Sequence, residues 1–409
     1  MPGYSDGTEP EVLNLAASTF DEMFTFTRAS AATITDIDGT LREVGVDVPR
    51  LVEYDAAGAA LGLLIEEQRT NLLLWSENFT DGLIWAGSNV TLQGNVAKNI
   101  DGSMTADLLS TDTTTSKHRI LQDLSGTSGV TYCGSVYAKA GTERFIAVVF
   151  PRQNDVFLVD VNTTFDLVTG EYSIGPDAVS AGAVYVGGGF YLCYVTVQAQ
   201  ATATSAFDIR ITDSLVNRTG TASGTGAENV ILGAAQVEQG SFPTSYIPTA
   251  GSQVTRAADN CVRVLGQEFN PDEGTLFVEA YAPDTDVFGF TAIVGTLSNQ
   301  RISAYFTNGT ARAQVRGVVS VTEVTKNVVP GELVKFAIAY NNNTSRNFAS
   351  VNDVSGVLTN SFLSAGSDLY VGKQSTDSKY LNVPLARIKL YPTALSDAKL
   401  ITLTSTDEV

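Results

Sequence analysis

Few side chains in this chain of 409 residues could carry catalysis. There is one histidine, His118, in the polar stretch Thr115–Arg119. A single histidine excludes multi-histidine metal sites and leaves one candidate base for a Ser-His-Asp triad, and no Gly-x-Ser-x-Gly elbow accompanies it. Because catalysis needs several groups that converge, we interpret His118 as a surface or loop residue.

The acidic residues are numerous but form no recognisable catalytic pair. A glycosidase needs two carboxyl groups on opposite sides of one glycosidic bond. Glu66 and Glu67 are adjacent, so on a strand their side chains would point to opposite faces. We assign no catalytic residue, and we expect Glu66, Arg69 and Asn71 to bond backbone groups at a structural junction, because junction loops must satisfy their polar groups.

Two further patterns bear on metal binding. The run Asp36–Gly39 begins like a calcium loop, but such a loop needs a bidentate Glu at its twelfth position, where this chain has Asp47. We interpret the run as a turn, since Asp-Gly favours tight hairpins. Cys133, Cys193 and Cys261 are isolated from one another, which argues against a disulfide framework or a zinc site. We expect Cys133 and Cys193 to be small core residues.

Exposed aromatic rings could stack on the sugar rings of a glycan while amides and carboxylates bond its hydroxyl groups. Our candidates for carbohydrate binding are Tyr380, Tyr370 and Tyr305, all in the C-terminal part of the chain. For Tyr380 the alternative is an aromatic residue buried at the start of a strand. The two tryptophans, Trp75 and Trp85, are expected to pack in a core, because tryptophan is highly buried on average.

The elements that would position these residues are predicted to be all β. Hydrophobic residues make up 44 % of the chain and charged residues 17 %, below the usual value of about 25 %. Short runs of alternating apolar and polar residues, such as 132–138, 145–150, 191–197 and 275–281, predict antiparallel β-sandwiches. The one predicted helix lies near the C-terminus, where Ser396 is the expected N-cap.

The net charge of −19 narrows the range of partners. Nucleic acid and anionic membranes attract proteins with a positive field, so neither is expected as a partner. The sequence has no run of 18 apolar residues, so we predict no membrane insertion. Turn signals and composition divide the chain into an N-terminal extended attachment arm with its junction (1–74), a first sandwich (75–250), a linker (251–264) and a second sandwich (265–409).

Several sequence blocks resemble, in order, a family of virion proteins of tailed bacteriophages and prophages, namely tail, fibre or head-fibre proteins. The blocks are Phe26–Thr33, Asp38–Leu41, Val48–Arg50, Gly62–Leu74, Asp101–Asp107, Ser135–Gly141, Leu232–Glu238, Gly240–Thr249 and Thr255–Asp259. The resemblance implies a sandwich similar to carbohydrate-binding modules at 75–250. The run Ala386–Leu400 resembles the closing strand and helix of a concanavalin-like, laminin-G-type jelly roll, which we expect at 265–409.

The resemblance implies a function as well as a fold. We expect a homotrimeric virion structural protein, a fibre or spike assembled in the bacterial host cytoplasm, that attaches by its N-terminus to other virion proteins (capsid, portal, neck or tail). Its sandwiches would adhere to a host-surface glycan. A ligand-free head or tail decoration protein and a polysaccharide-degrading enzyme are the alternatives, and we predict no enzyme. We expect no cofactor, although the resemblance allows a structural calcium ion whose ligands the sequence does not name.

Overall fold

The computed structural model describes residues 11–13, 20–157, 160–266, 269–283, 287–296, 300–316, 321–341, 344–349, 352–357, 368–374 and 379–405. The first part of the chain forms β1 (Glu11–Leu13), α1 (Phe20–Met23), β2 (Thr25–Thr27), β3 (Ala32–Thr35), β4 (Leu41–Val44), β5 (Arg50–Tyr54), β6 (Ala60–Leu64) and β7 (Arg69–Asn71). The rest of the expected arm, 1–10 and 14–19, lies outside the described residues.

The middle of the chain forms fourteen strands: β8 (Ala86–Ser88), β9 (Val90–Ala97), β10 (Ala106–Thr111), β11 (Thr115–Lys117), β12 (Arg119–Gly126), β13 (Thr131–Ala140), β14 (Phe145–Phe150), β15 (Val161–Asp166), β16 (Tyr172–Ser173), β17 (Ala178–Gly187), β18 (Phe190–Gln198), β19 (Ala203–Thr212), β20 (Thr221–Ser223) and β21 (Asn229–Gln239).

The last part forms twelve strands and a helix: β22 (Val254–Arg256), β23 (Asn260–Val264), β24 (Glu273–Tyr281), β25 (Gly289–Thr296), β26 (Gln300–Thr307), β27 (Thr310–Arg316), β28 (Val321–Asn327), β29 (Leu333–Asn341), β30 (Thr344–Ala349), β31 (Asn352–Val357), β32 (Asp368–Val371), β33 (Pro384–Tyr391) and α2 (Asp397–Thr404). The predicted all-β class with a short C-terminal helix is therefore confirmed.

The first sandwich consists of two six-stranded antiparallel sheets. The front sheet has the strand order β17-β18-β13-β21-β10-β9, and the back sheet has the order β16-β15-β14-β19-β12-β8. Alternation along β12 places Ile120 and Leu124 inside and charged or polar neighbours outside. Their side chains join those of Val136, Ile146 and Phe207 in a core between the sheets. The alternating runs predicted in this region all coincide with these strands.

The second sandwich pairs strands that lie far apart in the sequence. One sheet has the order β31-β30-β29-β24-β33-β6-β5, with β1 also paired to β33, and the other has the order β2-β23-β32-β25-β26-β27-β28. Leu276, Ile302 and Phe336 lie in the core between them. The helix α2 packs Leu400 and Leu403 against the outside of the first of these sheets. Ser396 occupies the N-cap position but its side chain makes no capping hydrogen bond.

Residues 20–71 do not form the separate arm that we expected for residues 1–74. Strand β2 pairs with β23, and Leu63 and Leu64 of β6 pair with Leu385 and Pro384 of β33. Phe20 is fully buried in the core of the second sandwich. The reason is hydrophobic burial: these short strands have too little apolar surface to form a core alone, and they bury it against the end of the same chain.

The expected linker at 251–264 also differs from the structure. It contains β22, which pairs with β7, and β23, which lies inside a sheet of the second sandwich between β2 and β32. The hairpin formed by β3 and β4 has its turn at Asp36–Gly39, as predicted, and Gly39 donates to the Asp36 carbonyl oxygen at 2.8 Å. Leu41 of this hairpin packs on the outer face of the front sheet, against a cluster that includes Tyr137.

Candidate functional site

The blocks that carry the family resemblance meet in one buried cluster of charges. We call this cluster, made of Arg28, Arg50, Glu66, Arg256 and Asp259, the ion-pair joint. All five side chains are at most 3 % exposed. The joint connects the N-terminal segment to the segment between the sandwiches, and it explains why these blocks share charged residues although they lie far apart in the sequence.

Glu66 lies at the centre of the joint. Its carboxylate forms ion pairs with Arg50 and, at 2.9 Å, with Arg256. The backbone N–H and the hydroxyl of Ser245 donate to it at 2.8 and 2.6 Å. Burial alone would raise the pKa of Glu66, but Arg256 and Arg50 together with the Ser245 bonds outweigh burial and lower this pKa to about 2. Glu66 is therefore ionised at neutral pH.

Asp259 holds the other side of the joint. It pairs with Arg50 and with Arg28, the latter at 3.0 Å, and it accepts the backbone N–H of Glu66 at 2.8 Å. Burial lowers the pKa of Arg28, and the remaining N–H groups of its guanidinium donate to the carbonyl oxygens of Ser30, Gly45 and Val48. A buried ion pair is costly unless its donors and acceptors are satisfied. These contacts satisfy Arg28, whereas the buried Nε atoms of Arg50 and Arg256 have no hydrogen-bond partner.

Arg69 and Asn71 lie next to the joint. Arg69 pairs with Glu67 and approaches Glu238 at 3.8 Å. The amide of Asn71 donates to the carbonyl oxygens of Ala235 and Ile247, and its side-chain oxygen accepts the backbone N–H groups of Leu73 and Val237. Asn71 thus bonds backbone groups on both sides of the junction, whereas Glu66 and Arg69 contact mainly charged side chains.

An open cleft of about 390 Å³ lies above the joint. The N-terminal segment forms one wall with Thr35, Glu53 and Tyr54, and the front sheet of the first sandwich forms the other wall with Tyr137 and Tyr185. The remaining lining residues are Thr33, Ile34, Leu41, Asp55, Ala56, Leu61, Leu64, Glu66, Val184, Val186, Leu192, Pro243, Thr244, Ser245, Tyr246, Asn382 and Pro384. A volume of this size is within the range of about 300–1,000 Å³ that is typical of small-molecule sites.

Tyr185 is the most exposed aromatic ring in this cleft. It lies on β17, the edge strand of the front sheet, and is 46 % exposed. The ring packs edge-on against Tyr191 with a centroid distance of 5.3 Å, and its hydroxyl accepts the N–H of Gly189 at 3.4 Å. These two contacts fix the orientation of the ring while one face remains open to a ligand.

Glu53 is a half-buried carboxyl group of the cleft whose pKa is strongly perturbed. The side chain is half-buried on β5, and both carboxyl oxygens lie 3.2 Å from the N–H of Thr35. Burial raises the pKa of Glu53 to about 7, although the Thr35 bonds and Arg50 act in the opposite direction. A carboxyl group with a strongly perturbed pKa in a cleft indicates a functional site.

The cleft continues into a second, uncharged depression of about 300 Å³ between the two sandwiches. Its aromatic residues are Tyr194 and Phe242 from the first sandwich and Tyr281 from the second. The two depressions share the lining residues Leu61, Val184, Pro243, Asn382 and Pro384. We call the two depressions together the junction groove.

The structure does not place the three tyrosines that we predicted for carbohydrate binding in this groove. Tyr380 is 4 % exposed and belongs to the core of the second sandwich. Tyr305 is 6 % exposed, donates its hydroxyl to Glu323, and packs against Phe290 at a centroid distance of 5.1 Å. Burial of these two rings argues against sugar stacking. Tyr370 is half-buried beside the Tyr305 cluster, and its role stays a prediction.

His118 is a further correction. We expected a surface or loop residue, but its side chain is fully buried. Nδ1 lies 2.7 Å from the Asn89 carbonyl oxygen, and Nε2 lies 3.1 Å from the Ala222 carbonyl oxygen. The second contact holds β20, inside a stretch (219–226) whose composition predicts a flexible loop. The error arose because a polar local sequence does not reveal that the ring packs between two carbonyl groups that lie far from it in the chain.

The two tryptophans and two of the cysteines were also expected in a core. Trp85 is fully buried against Phe79, while Trp75 is only partly buried. Cys133 and Cys193 are free and buried, as expected for small core residues. Within the described ranges no group of three His, Cys, Asp or Glu side chains could hold a metal ion. No helix in the described part of the chain is long and apolar enough to cross a membrane.

Comparisons with known proteins give a fold-level likeness. No protein-family model and no curated protein matches the chain. Similar solved structures include the CBM40 module of the Ruminococcus gnavus IT-sialidase bound to α2,3-sialyllactose, which is 18 % identical, with 33 % of this chain and 83 % of that chain covered and a TM-score of 0.26. The receptor-binding domain of botulinum neurotoxin D is 10 % identical, with 36 % and 41 % covered and a TM-score of 0.29. At these scores the likeness carries no conclusion about a ligand.

The sequence did not identify Glu53, Tyr185, Arg50 or Asp259 as site residues. Arg50 and Asp259 stand in the blocks that carry the family resemblance, so that signal was present in the sequence. Glu53 and Tyr185 lie about 130 positions apart, and only the tertiary structure places them in one cleft.

Proposed function

We propose that this chain is a glycan-binding adhesion protein whose ligand lies in the junction groove. The observation that carries the proposal is the open cleft in which the half-exposed ring of Tyr185 and the carboxyl group of Glu53 line the same space. A sugar has an apolar ring face and a rim of hydroxyl groups. The cleft offers an aromatic face for the first and the carboxyl group of Glu53 and the amide of Asn382 for the second.

The hydrogen bonds and ion pairs of the other carboxyl groups in the cleft favour binding over hydrolysis. Asp55 accepts the backbone N–H groups of Ala57 and Ala59 in a turn, at 2.9 and 2.8 Å. Glu66 is occupied by two arginines and Ser245. Glu53 is thus left without a second carboxyl group that is free to complete a glycosidase pair. Release of reducing sugar from host envelope polysaccharide would instead support the enzyme alternative.

We further propose that the chain is a fibre or spike of a tailed-bacteriophage virion, in which the protein is a homotrimer. The support for this part is the resemblance of the sequence blocks. Weak binding by each copy would then be strengthened by multivalency. Because residues 20–71 are built into the sandwiches, we reassign particle attachment to the chain ahead of Glu11. Deleting residues 2–10 spares every described strand. A deleted protein that still assembled onto particles would contradict this attachment.

The experiment that tests glycan binding uses two tyrosines with equal exposure. Tyr185 in the cleft and Tyr172 on the back sheet are both 46 % exposed. On a glycan array, Tyr185→Ala should weaken binding by about tenfold or more, equivalent to about 1.4 kcal/mol, whereas Tyr172→Ala should bind like the wild type. If the wild type binds no glycan but attaches to virus particles, the chain is a ligand-free decoration protein.

A further inference from the structure

The charges around the junction groove restrict its ligand. The lining residues include three acids, Glu53, Asp55 and Glu66, and neither depression is lined by a lysine, arginine or histidine. Arg50 and Arg256 lie beneath the floor, but both are at most 1 % exposed and are paired with carboxylates of the joint. The described lining therefore presents negative charge and no accessible positive charge to a ligand.

Glu53 receives few hydrogen bonds. A carboxylate can accept about four, and Thr35 is the residue that bonds it, through its backbone N–H and its side chain. Arg50 acts on Glu53 through space, and Glu66 repels it. The other titratable residues that line the cleft are Asp55, Tyr54, Tyr137, Tyr185 and Tyr246. A ligand hydroxyl or ammonium group would supply the missing donor, whereas a ligand carboxylate would bring repulsion into a half-buried site.

We infer that the junction groove selects glycans without acidic sugars, and that Glu53 is the residue that sets this selection. The ligand class is an oligosaccharide of neutral or amino sugars with a hydroxyl or ammonium group on Glu53. The uncharged depression beside Tyr194, Phe242 and Tyr281 would take the adjoining sugar units, because its aromatic lining matches their ring faces. This inference rests on the proposed glycan-binding function.

The test is an array of neutral, amino and acidic glycans probed with the wild type, Glu53→Gln and Glu43→Gln. Glu43 is an exposed acid on β4 that does not line the groove, so its variant controls for the loss of one negative charge. We expect the wild type to bind neutral or amino glycans only. Glu53→Gln should improve the ratio of acidic to neutral binding by about tenfold, as expected for removal of one close like charge in a partly buried site, and Glu43→Gln should not change it.

A pH profile separates this electrostatic role from a structural one. Rejection of acidic glycans by the wild type should weaken as the pH falls from about 8 to about 5.5, because Glu53 becomes protonated, and Glu53→Gln should lack this dependence. Acidic glycans bound as tightly as neutral ones by the wild type, or an unchanged ratio in Glu53→Gln, would overturn the inference while leaving glycan binding intact. Binding of no glycan at all would overturn the proposed function and the inference together.

Discussion

Replacing Glu53 by glutamine should stabilise the protein at alkaline pH and leave its stability unchanged in acid. The folded protein raises the pKa of this carboxyl group from 4.5 to about 7. Below pH 4.5 the group is protonated in both the folded and the unfolded chain, so its titration does not lower the free energy of unfolding. As the pH rises from this value to about 7, the free energy of unfolding falls, because the carboxyl group ionises more easily in the unfolded chain. Glutamine does not ionise, so the variant does not lose this free energy at any pH.

The magnitude follows from the pKa difference. The pKa of Glu53 differs by about 2.5 units between the folded and the unfolded chain, and each unit corresponds to about 1.36 kcal/mol. The stabilisation by Glu53→Gln above pH 7 therefore has an upper bound of about 3.4 kcal/mol. Because Glu53 is half-buried, solvent screening reduces the expected gain to about 2 kcal/mol. At about 2 °C per kcal/mol for a large domain, the melting temperature should rise by roughly 4 °C.

Thermal unfolding followed by circular dichroism at about pH 4 and about pH 8.5 measures the effect, since these values lie on either side of the titration. The control is Glu43→Gln, which removes an exposed carboxyl group from the same N-terminal segment. If the difference in melting temperature between Glu53→Gln and the wild type is the same at both pH values, burial does not raise the pKa of Glu53. The electrostatic account of the cleft would then be refuted.

Three other substitutions test the joint and the packing around it. Glu66→Gln should lower the free energy of unfolding by about 3–5 kcal/mol in a urea titration, because the buried Arg256 loses the carboxylate it pairs with and Arg50 keeps only Asp259; wild-type stability would contradict the joint. Gly62 has a φ of +117°, and a Cβ at this position would lie 2.2 Å from the Leu385 carbonyl oxygen. Gly62→Ala should therefore strain the pairing of β6 with β33 and speed proteolysis of the second sandwich. Equal cleavage rates for the variant and the wild type would refute this strain. His118→Ala should cost about 1–3 kcal/mol in urea, because the Ala222 carbonyl group loses its contact with the ring while the Asn89 carbonyl group keeps the backbone N–H of Asp112; a loss below about 0.5 kcal/mol would show that the ring contact matters little.

Local pattern was sufficient for the strands of both sandwiches. Phe145–Phe150 forms β14 as the pattern predicted, and the predicted turn at Asp36–Gly39 has Gly39 at a φ of +78°. The end of the chain likewise forms β33 and then α2. These elements depend on residues within a few positions of one another, so local sequence patterns are enough to predict them.

Pairing between distant segments could not be predicted. Strands β5 and β6 looked like part of an arm because they are short and have little apolar surface. Strand β5 pairs with β6, and β6 pairs with β33, which begins about 320 residues later, at Pro384. The same limit applies to Tyr380 and Tyr305, whose local sequences are equally compatible with an exposed or a buried ring. Only the packing of the second sandwich decided that both are buried.

The sequence by itself determined the all-β class, most strand positions and the residue types of the ion-pair joint, because alternation and charge are properties of the chain alone. The tertiary structure decided that Arg28, Arg50, Glu66 and Asp259 meet. It also decided that Glu53 is half-buried opposite the front sheet, where its pKa rises. The physical reason is that desolvation and ion pairing depend on distances in space, and the folded backbone alone sets those distances.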